Sequence, residues 1–394
     1  MGVIEGAYKT LSFLSYPIAK NRIKDFRVDK DSIWFHAASL GEVISIKPVI
    51  EYFKGKGISF FLTTMTESGK KKAEEDFKGN VFLFPYDNPL FIKEILKKSK
   101  LIVFAESEFW PNTIFEIRKN KKRIILVNGR ISENSFRKWK VFKNFFKKIL
   151  FCFDRFFVIS SKEKKYLKFF GVDEKKIFVS GNLKLLSIKR EVLPLFDKPF
   201  DFTITFASVR SGEFKGLVNF IEKVIKINEN IGFIIAVRHL STLILLENIL
   251  RVKNIEYVKF TEKGEKSKEK KRVLILDTLG NLIRVYPVSD AVIVGGTFAP
   301  YGGHNLLEPA QFGVPVFFGP YTSNVKGMEE ILLKERGGIK CKTFNELFEI
   351  FLKLVNDKKE IENLGKNAKR AFERARKVTE NGFNEIVKYL ESNL

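Results

Sequence analysis

Short runs with an unbroken apolar centre recur at positions 32–36, 58–64, 80–84, 101–105, 123–128 and 155–160. They are separated by segments of helical length whose apolar residues share one face. Runs without polar alternation predict strands covered on both sides, and their alternation with helices predicts a doubly wound parallel sheet. The periodicity fades in NLKLLSIKREVLPLFDKPF, which carries two prolines. A second series then begins, with runs at 203–208, 232–237, 272–276, 291–296 and 314–319. From 343 onward the pattern is helical to the end. The expected fold class is α/β, with two Rossmann-like domains facing across a cleft. Residues 1–30 form an N-terminal segment, 31–181 the first domain, 182–200 a linker and 201–375 the second domain. A final helix, 376–394, packs back on the first.

In sheets of this kind ligands bind beyond the carboxyl ends of the strands, so the loops there are the candidate site. The most informative is GGTFAPYGGHNLLEP, 295–309, which follows the apolar run VSDAVIV and leads into a helix start. Its four glycines let a ligand approach the backbone, and the amides opening the next helix suit a phosphate. Gly302 and Gly303 lie in that loop. Glu308, one turn into the helix, suits the hydroxyls of a ribose, with Asn305 beside it. Other strand ends in the second series carry Ser208 and Arg210 (ASVRSGE), Arg238 and His239 (VRHLS) and Gly280 (DTLGNL). In the first series, HAASLGEV places Ser39 and Glu42 at a strand-to-helix turn, and AESEFWPN ends a strand with Glu106 and Glu108. VNGRISENS offers Arg130, able to grip a carboxylate or phosphate with two hydrogen bonds. Neighbouring acids at strand ends set one another's pKa, as a general base requires, although a Glu in a first helical turn is also an ordinary cap.

Composition narrows the partners. The 394 residues include 70 Lys and Arg against 46 Asp and Glu, a formal charge of +24 that favours anionic partners. Two distant cysteines, Cys152 and Cys341, form no CxxC and fit a reducing compartment. Three histidines in no HExxH-type cluster leave little material for a transition metal, so no metal ligands are expected. No apolar stretch reaches 18 residues. The N-terminal 1–30, aromatic and aliphatic among basic residues, reads as an interfacial segment or as a capping helix. In the basic stretch 133–151 the apolar positions 136, 139, 142, 146, 149 and 150 fall at helical spacing. They predict one helix with a core-facing stripe and a lysine-rich outer face.

HAASLGEV, TTMTESG, ESEFWPN, NGRISENS, SGNLK, ASVRSGE, DTLGNL and GGTFAPYGGHNLLEPA follow one another in this order, and with them the chain resembles the 3-deoxy-D-manno-octulosonic acid (Kdo) transferases of lipopolysaccharide synthesis. The match covers nearly all of 31–330. The resemblance implies a GT-B glycosyltransferase that is inverting, metal-independent and without cofactor. Its donor is CMP-Kdo, bound by the second domain, and its acceptor, the lipid A precursor (lipid IVA), is bound by the first. It makes Glu42 the catalytic base, with Glu106 or Glu108 positioning the acceptor or tuning that base. Ser39 and Arg130 fall on the acceptor side. Ser208, Arg210, Gly302 and Gly303 fall at the phosphate, and Asn305 and Glu308 at the nucleotide sugar, with Arg238, His239 and Gly280 nearby. It also implies a place on the cytoplasmic face of the inner membrane, with the basic stretch 133–151 meeting the anionic glycolipid surface. Two departures touch base recognition: RHLST stands where relatives carry RHPER, and DTLGNL where DTMGEL is usual.

Two rivals remain at this level. A nucleic-acid-binding protein would suit the charge, but no RRM, KH, OB or helix-turn-helix signature is present, so no nucleic-acid partner is expected. A GT-B enzyme or epimerase using a UDP-sugar would fit Glu308 equally, though not ESEFWPN.

Overall fold

The computed structural model describes residues 8, 10, 12–188, 191–262 and 271–394. The expectations placed on 1–7, 9, 11, 189–190 and 263–270, which include parts of the N-terminal segment, the linker and the second domain, lie outside the described residues. The chain divides into two compact units, 1–188 with 376–394, and 189–375.

The first unit holds a seven-stranded parallel sheet of β1 (Ser32–His36), β2 (Phe60–Thr64), β3 (Val81–Leu83), β4 (Ser99–Ala105), β5 (Arg123–Gly129), β6 (Arg155–Val158) and β7 (Ile177–Val179). Their spatial order is β3-β2-β1-β4-β5-β6-β7. Every residue of β1 and β2 is buried, as a sheet covered by helices on both faces requires. Successive side chains of β1 enter opposite cores. Trp34 joins Phe61, Phe104 and Ile114 on one face, whereas Ile33 and Phe35 join Val43, Ile46 and Phe53 on the other. That second face also takes Ile386, Val387 and Leu390 from the end of the helix Lys358–Glu391, whose residues from Arg376 on count with this unit. Gly382 permits the contact, because a Cβ there would collide with the backbone of Ser180.

The second unit repeats the plan with β8 (Phe202–Val209), β9 (Ile231–Val237), β10 (Tyr257–Lys259), β11 (Val273–Leu276), β12 (Ala291–Val294), β13 (Val316–Phe318) and β14 (Gly338–Lys340), in the order β10-β11-β9-β8-β12-β13-β14. The two seven-stranded parallel sheets with their helices form the α/β architecture of GT-B enzymes. The strand order turns back between β1 and β4 in the first sheet and between β8 and β12 in the second, where β11 also lies between β9 and the edge strand β10. A crevice for ligand opens at such a switch point.

Three strands escaped the sequence reading. β7, β10 and β14 are three-residue edge strands that lie in no apolar run longer than three residues. Residues 182–200, expected as a linker, are divided. Leu183 and Leu186 belong to a first-unit core, whereas Leu195 and Phe196 pack on a second-unit core. The basic stretch 133–151 is two helices, Glu133–Val141 and Lys143–Phe151, broken at Phe142 (φ −108, ψ 38). Trp139, Ile149 and Leu150 are buried as expected, but the break turns Phe142 outward to 52% exposure.

Candidate active site

Glu42 stands in the first turn of the helix Leu40–Gly55, just past β1. Its Oε2 accepts the amide of Ala38 at 2.8 Å and its Oε1 the hydroxyl of Ser39 at 3.2 Å. It therefore caps the turn, as the plainer sequence reading had it. Yet burial, and then the fields of Glu108 and Glu106, raise its carboxyl from 4.5 to about 8, against the lowering effect of those two hydrogen bonds. This is the pKa of a group that holds or releases a proton near neutrality.

Its two acidic neighbours leave β4 and are held differently. Glu106 is buried at φ 51, a left-handed conformation that costs a non-glycine residue roughly 1–3 kcal/mol. Its Oε1 pairs with Lys184 Nζ at 2.7 Å, and its backbone carbonyl accepts the amide of Arg130 at 3.3 Å. Glu108 Oε2 accepts from Trp110 Nε1 at 2.7 Å and lies 3.4 Å from His36 Nε2, whose ring packs against Phe84 and Phe104. The structure thus brings Ser39, Glu42, Glu106 and Glu108 together at the switch point. Arg130 joins them through its backbone, while its charge acts on Glu163.

In the second unit the loops after β8 and β12 meet. Ser208 sits on an irregularity of β8 at φ 56, the same strained conformation as Glu106. Gly295 passes so close to the Ser208–Val209 backbone that no Cβ would fit, and Gly302 and Gly303 both take φ 85. Arg210 stacks its guanidinium 4.3 Å from the centre of the Tyr301 ring. Burial, then the charges of Arg238, Arg210 and His239, push the His304 imidazole down to about 4, so these four side chains form one cluster with a neutral histidine inside it. Asn305 donates from Nδ2 to Glu308 Oε1 at 3.0 Å and accepts the Leu307 amide at 3.0 Å. Burial raises the Glu308 carboxyl, while Asn305 and then Arg238 work to lower it. The helix expected after the glycine loop is a single turn, Leu307–Ala310. Gly280 stands apart, turning the chain after β11 at φ 80 with open space where a Cβ would lie.

Comparison with known proteins shows the family. A family profile described as 3-deoxy-D-manno-octulosonic-acid transferase (kdotransferase) matches residues 15–187. A 3-deoxy-D-manno-octulosonic acid transferase of Aquifex aeolicus is 31% identical over 336 residues, 84% of this chain and 88% of that protein. The chain belongs to the Kdo transferase family. It is a glycosyltransferase. A bifunctional glycosyltransferase/methyltransferase of Fusobacterium nucleatum subsp. nucleatum is 32% identical over 85% of this chain, and the chain spans 54% of that longer protein. Among solved structures, a UDP-N-acetylglucosamine 2-epimerase shares the fold with a TM-score of 0.61 at 13% identity, over 90% of this chain and 95% of that one.

Several residues of this family member went unremarked in the sequence. Lys184, partner of Glu106, lies in the SGNLK motif but follows β7, a strand that no periodicity announced. His36 and Trp110 were visible in HAASLGEV and ESEFWPN, but only the packing shows them converging on Glu108. His304 lay inside the glycine motif, and its buried Nε2 has no hydrogen-bond partner among the described residues. Glu213 closes ASVRSGE and is 2% exposed. Its Oε2 accepts the amides of Gly296 at 2.7 Å and Arg210 at 2.9 Å, and its Oε1 that of Phe298 at 2.9 Å. One carboxylate therefore ties the β8 loop to the β12 loop. Glu213→Ala strands three amides, each worth about 1–3 kcal/mol when left unpaired, and is expected to lower unfolding free energy by at least about 3 kcal/mol in urea denaturation. A loss below about 1 kcal/mol would show that water replaces the carboxylate.

Proposed function

We propose that the protein transfers Kdo from CMP-Kdo to a hydroxyl of the lipid A precursor, lipid IVA, with inversion and without a metal or other cofactor. The observation that carries this reading is Glu42, a carboxylate raised to about 8 at the first switch point in a chain of this family. Ionised Glu42 takes the proton of the acceptor hydroxyl as its oxygen bonds to the anomeric carbon of the sugar. The bond from that carbon to the CMP phosphate breaks, and CMP leaves with the electron pair. One displacement at one carbon inverts it. Glu106, its charge balanced by Lys184, and Glu108, fixed by Trp110, orient the acceptor and keep Glu42 basic, with Ser39 and Arg130 on the acceptor side.

In the second unit, Ser208, Arg210 and the glycine loop at Gly302 and Gly303 meet the departing phosphate. Arg238 and His239 add positive charge beside it, and Asn305 with Glu308 holds the ribose. Gly280 lines the approach to the cytosine.

The reading includes the cytoplasmic face of the inner membrane. Among the described residues no helix is long and apolar enough to cross a bilayer. Leu14 and Ile18 stand 77% and 58% exposed beside the helix Tyr16–Arg22 and within it. Val141 and Phe142 are exposed amid Lys138, Lys140, Lys143 and Lys147, a surface that suits anionic headgroups.

The test is the mass of the glycolipid after incubation with lipid IVA and either CMP-Kdo or a UDP-sugar. Kdo added from CMP-Kdo alone supports the reading, and the mass counts the units transferred. Transfer from the UDP-sugar instead would replace it with a different GT-B activity.

A further inference from the structure

The second unit holds a pocket that the donor residues above do not account for. It has a volume of 360 Å³, within the range of small-ligand sites of about 300–1,000 Å³, and its wall includes Gly302, Tyr321, Thr322, Ser323, Lys326 and Lys340. It adjoins the glycine loop directly. Gly302 is common to both, its carbonyl accepts the amide of Asn324 at 2.8 Å, and a Cβ at Gly302 would run into Asn324 and Ser323. The pocket and the loop that the donor reading gives to the phosphate therefore share a wall residue.

The charge of the wall is unbalanced. Glu329, 2% exposed, accepts Lys326 Nζ and Lys340 Nζ, each at 2.9 Å, and the Thr322 hydroxyl as well. Burial pushes this carboxyl up, but the hydrogen bonds from Lys340, Thr322 and Lys326 outweigh it and hold the group below its ordinary value. Two ammoniums therefore share one carboxylate. Each ammonium has three donors and gives one to Glu329, and the side chains of Lys326 and Lys340 remain 46% and 34% exposed. The buried carboxylate fixes both lysines and leaves a net positive charge facing the pocket, with the Ser323 hydroxyl beside it.

We propose that this pocket receives the sugar half of the donor, an octulosonic acid, with the sugar carboxylate paired to Lys326 and its hydroxyls met by Ser323 and Lys340. The assignment rests on the donor reading above and deepens it. It separates two tasks, since the glycine loop with Arg210 holds the nucleotide while the lysine wall selects an acidic sugar over a neutral one.

The experiment compares Lys326→Gln and Lys326→Arg with the parent, reading KM for CMP-Kdo and the inhibition constant of CMP. In both variants Lys340 and Thr322 still pair the Glu329 carboxylate, and the thermal unfolding of each variant checks that the fold is kept. Loss of a charge-assisted hydrogen bond predicts that Lys326→Gln raises KM for CMP-Kdo roughly tenfold or more, while the constant for CMP stays within about twofold. Lys326→Arg should retain most of the donor affinity. Equal weakening of CMP and CMP-Kdo would overturn the proposal by moving Lys326 to the phosphate, and so would no change in either. A parent that binds CMP yet fails to turn over CMP-Kdo would overturn the donor reading and this pocket with it. A parent that turns over CMP-Kdo beside an unaffected Lys326→Gln overturns the pocket alone.

Discussion

Glu42→Gln should lower kcat by about 10²–10⁴, the usual contribution of a positioned general base, while CMP binding stays unchanged. The amide keeps the shape of the carboxylate and can still cap the turn, so the loss would report proton transfer and not folding. The pH profile of the parent gives the sharper signature. With the carboxyl raised to about 8, Glu42 is mostly protonated at pH 7, so kcat/KM should climb with pH and level off above about 8. Glu108 is the larger of the two like charges acting on it. Glu108→Gln should therefore shift that limb toward lower pH, because a carboxylate relieved of a like charge ionises more readily. A parent profile that is flat from pH 6 to 9 would remove Glu42 from the role of base. Stability has the opposite sign. A carboxyl whose pKa rises from 4.5 to about 8 on folding favours the folded state below pH 4.5, and that contribution is lost as pH rises through 8.

Arg210→Ala should lower kcat/KM by about 10²–10³ and weaken CMP binding as well, as expected for removal of a fixed positive donor from a leaving phosphate. Arg210→Lys is expected to recover only part of this. An ammonium restores the charge but neither the two-pronged hydrogen bonding nor the planar stacking on Tyr301. The two substitutions thus part on CMP affinity, which Glu42→Gln leaves alone and Arg210→Ala reduces. Intact CMP affinity in Arg210→Ala would exclude the guanidinium from the phosphate site.

Much of the arrangement was legible because its causes are local. A strand buried on both faces must be apolar along its length, so the central strands of both sheets announced themselves. In a parallel sheet every strand-to-helix loop leaves the carboxyl end, so Ser39, Glu42, Glu106 and Glu108 could be assigned to one edge of the first sheet, and Ser208 and Arg210 to one edge of the second, from the sequence. β3, three residues long, was legible because it lies in the four-residue apolar run 81–84, whereas β7, β10 and β14 have at most three apolar residues in their span, and with β7 unseen Lys184 had no address. Phe142 misled for a related reason. Helical spacing assumes an unbroken helix, and the break falls at Phe142 itself, which leaves the stripe while Ile149 and Leu150 keep to it.

By itself, then, the sequence determined the two α/β units, the family and the chemical character of each strand-end loop, because hydrophobic period and residue type are written along the chain. Only the tertiary structure decided how those groups act on one another. The raised carboxyl of Glu42 depends on burial and on acids that arrive from a different strand. The bracing of two loops by Glu213 joins residues more than 80 positions apart. The positive wall of the pocket exists because a buried Glu329 holds Lys326 from its own turn and Lys340 from an edge strand. Fields and hydrogen bonds act through space, and no reading along the chain measures distance through space.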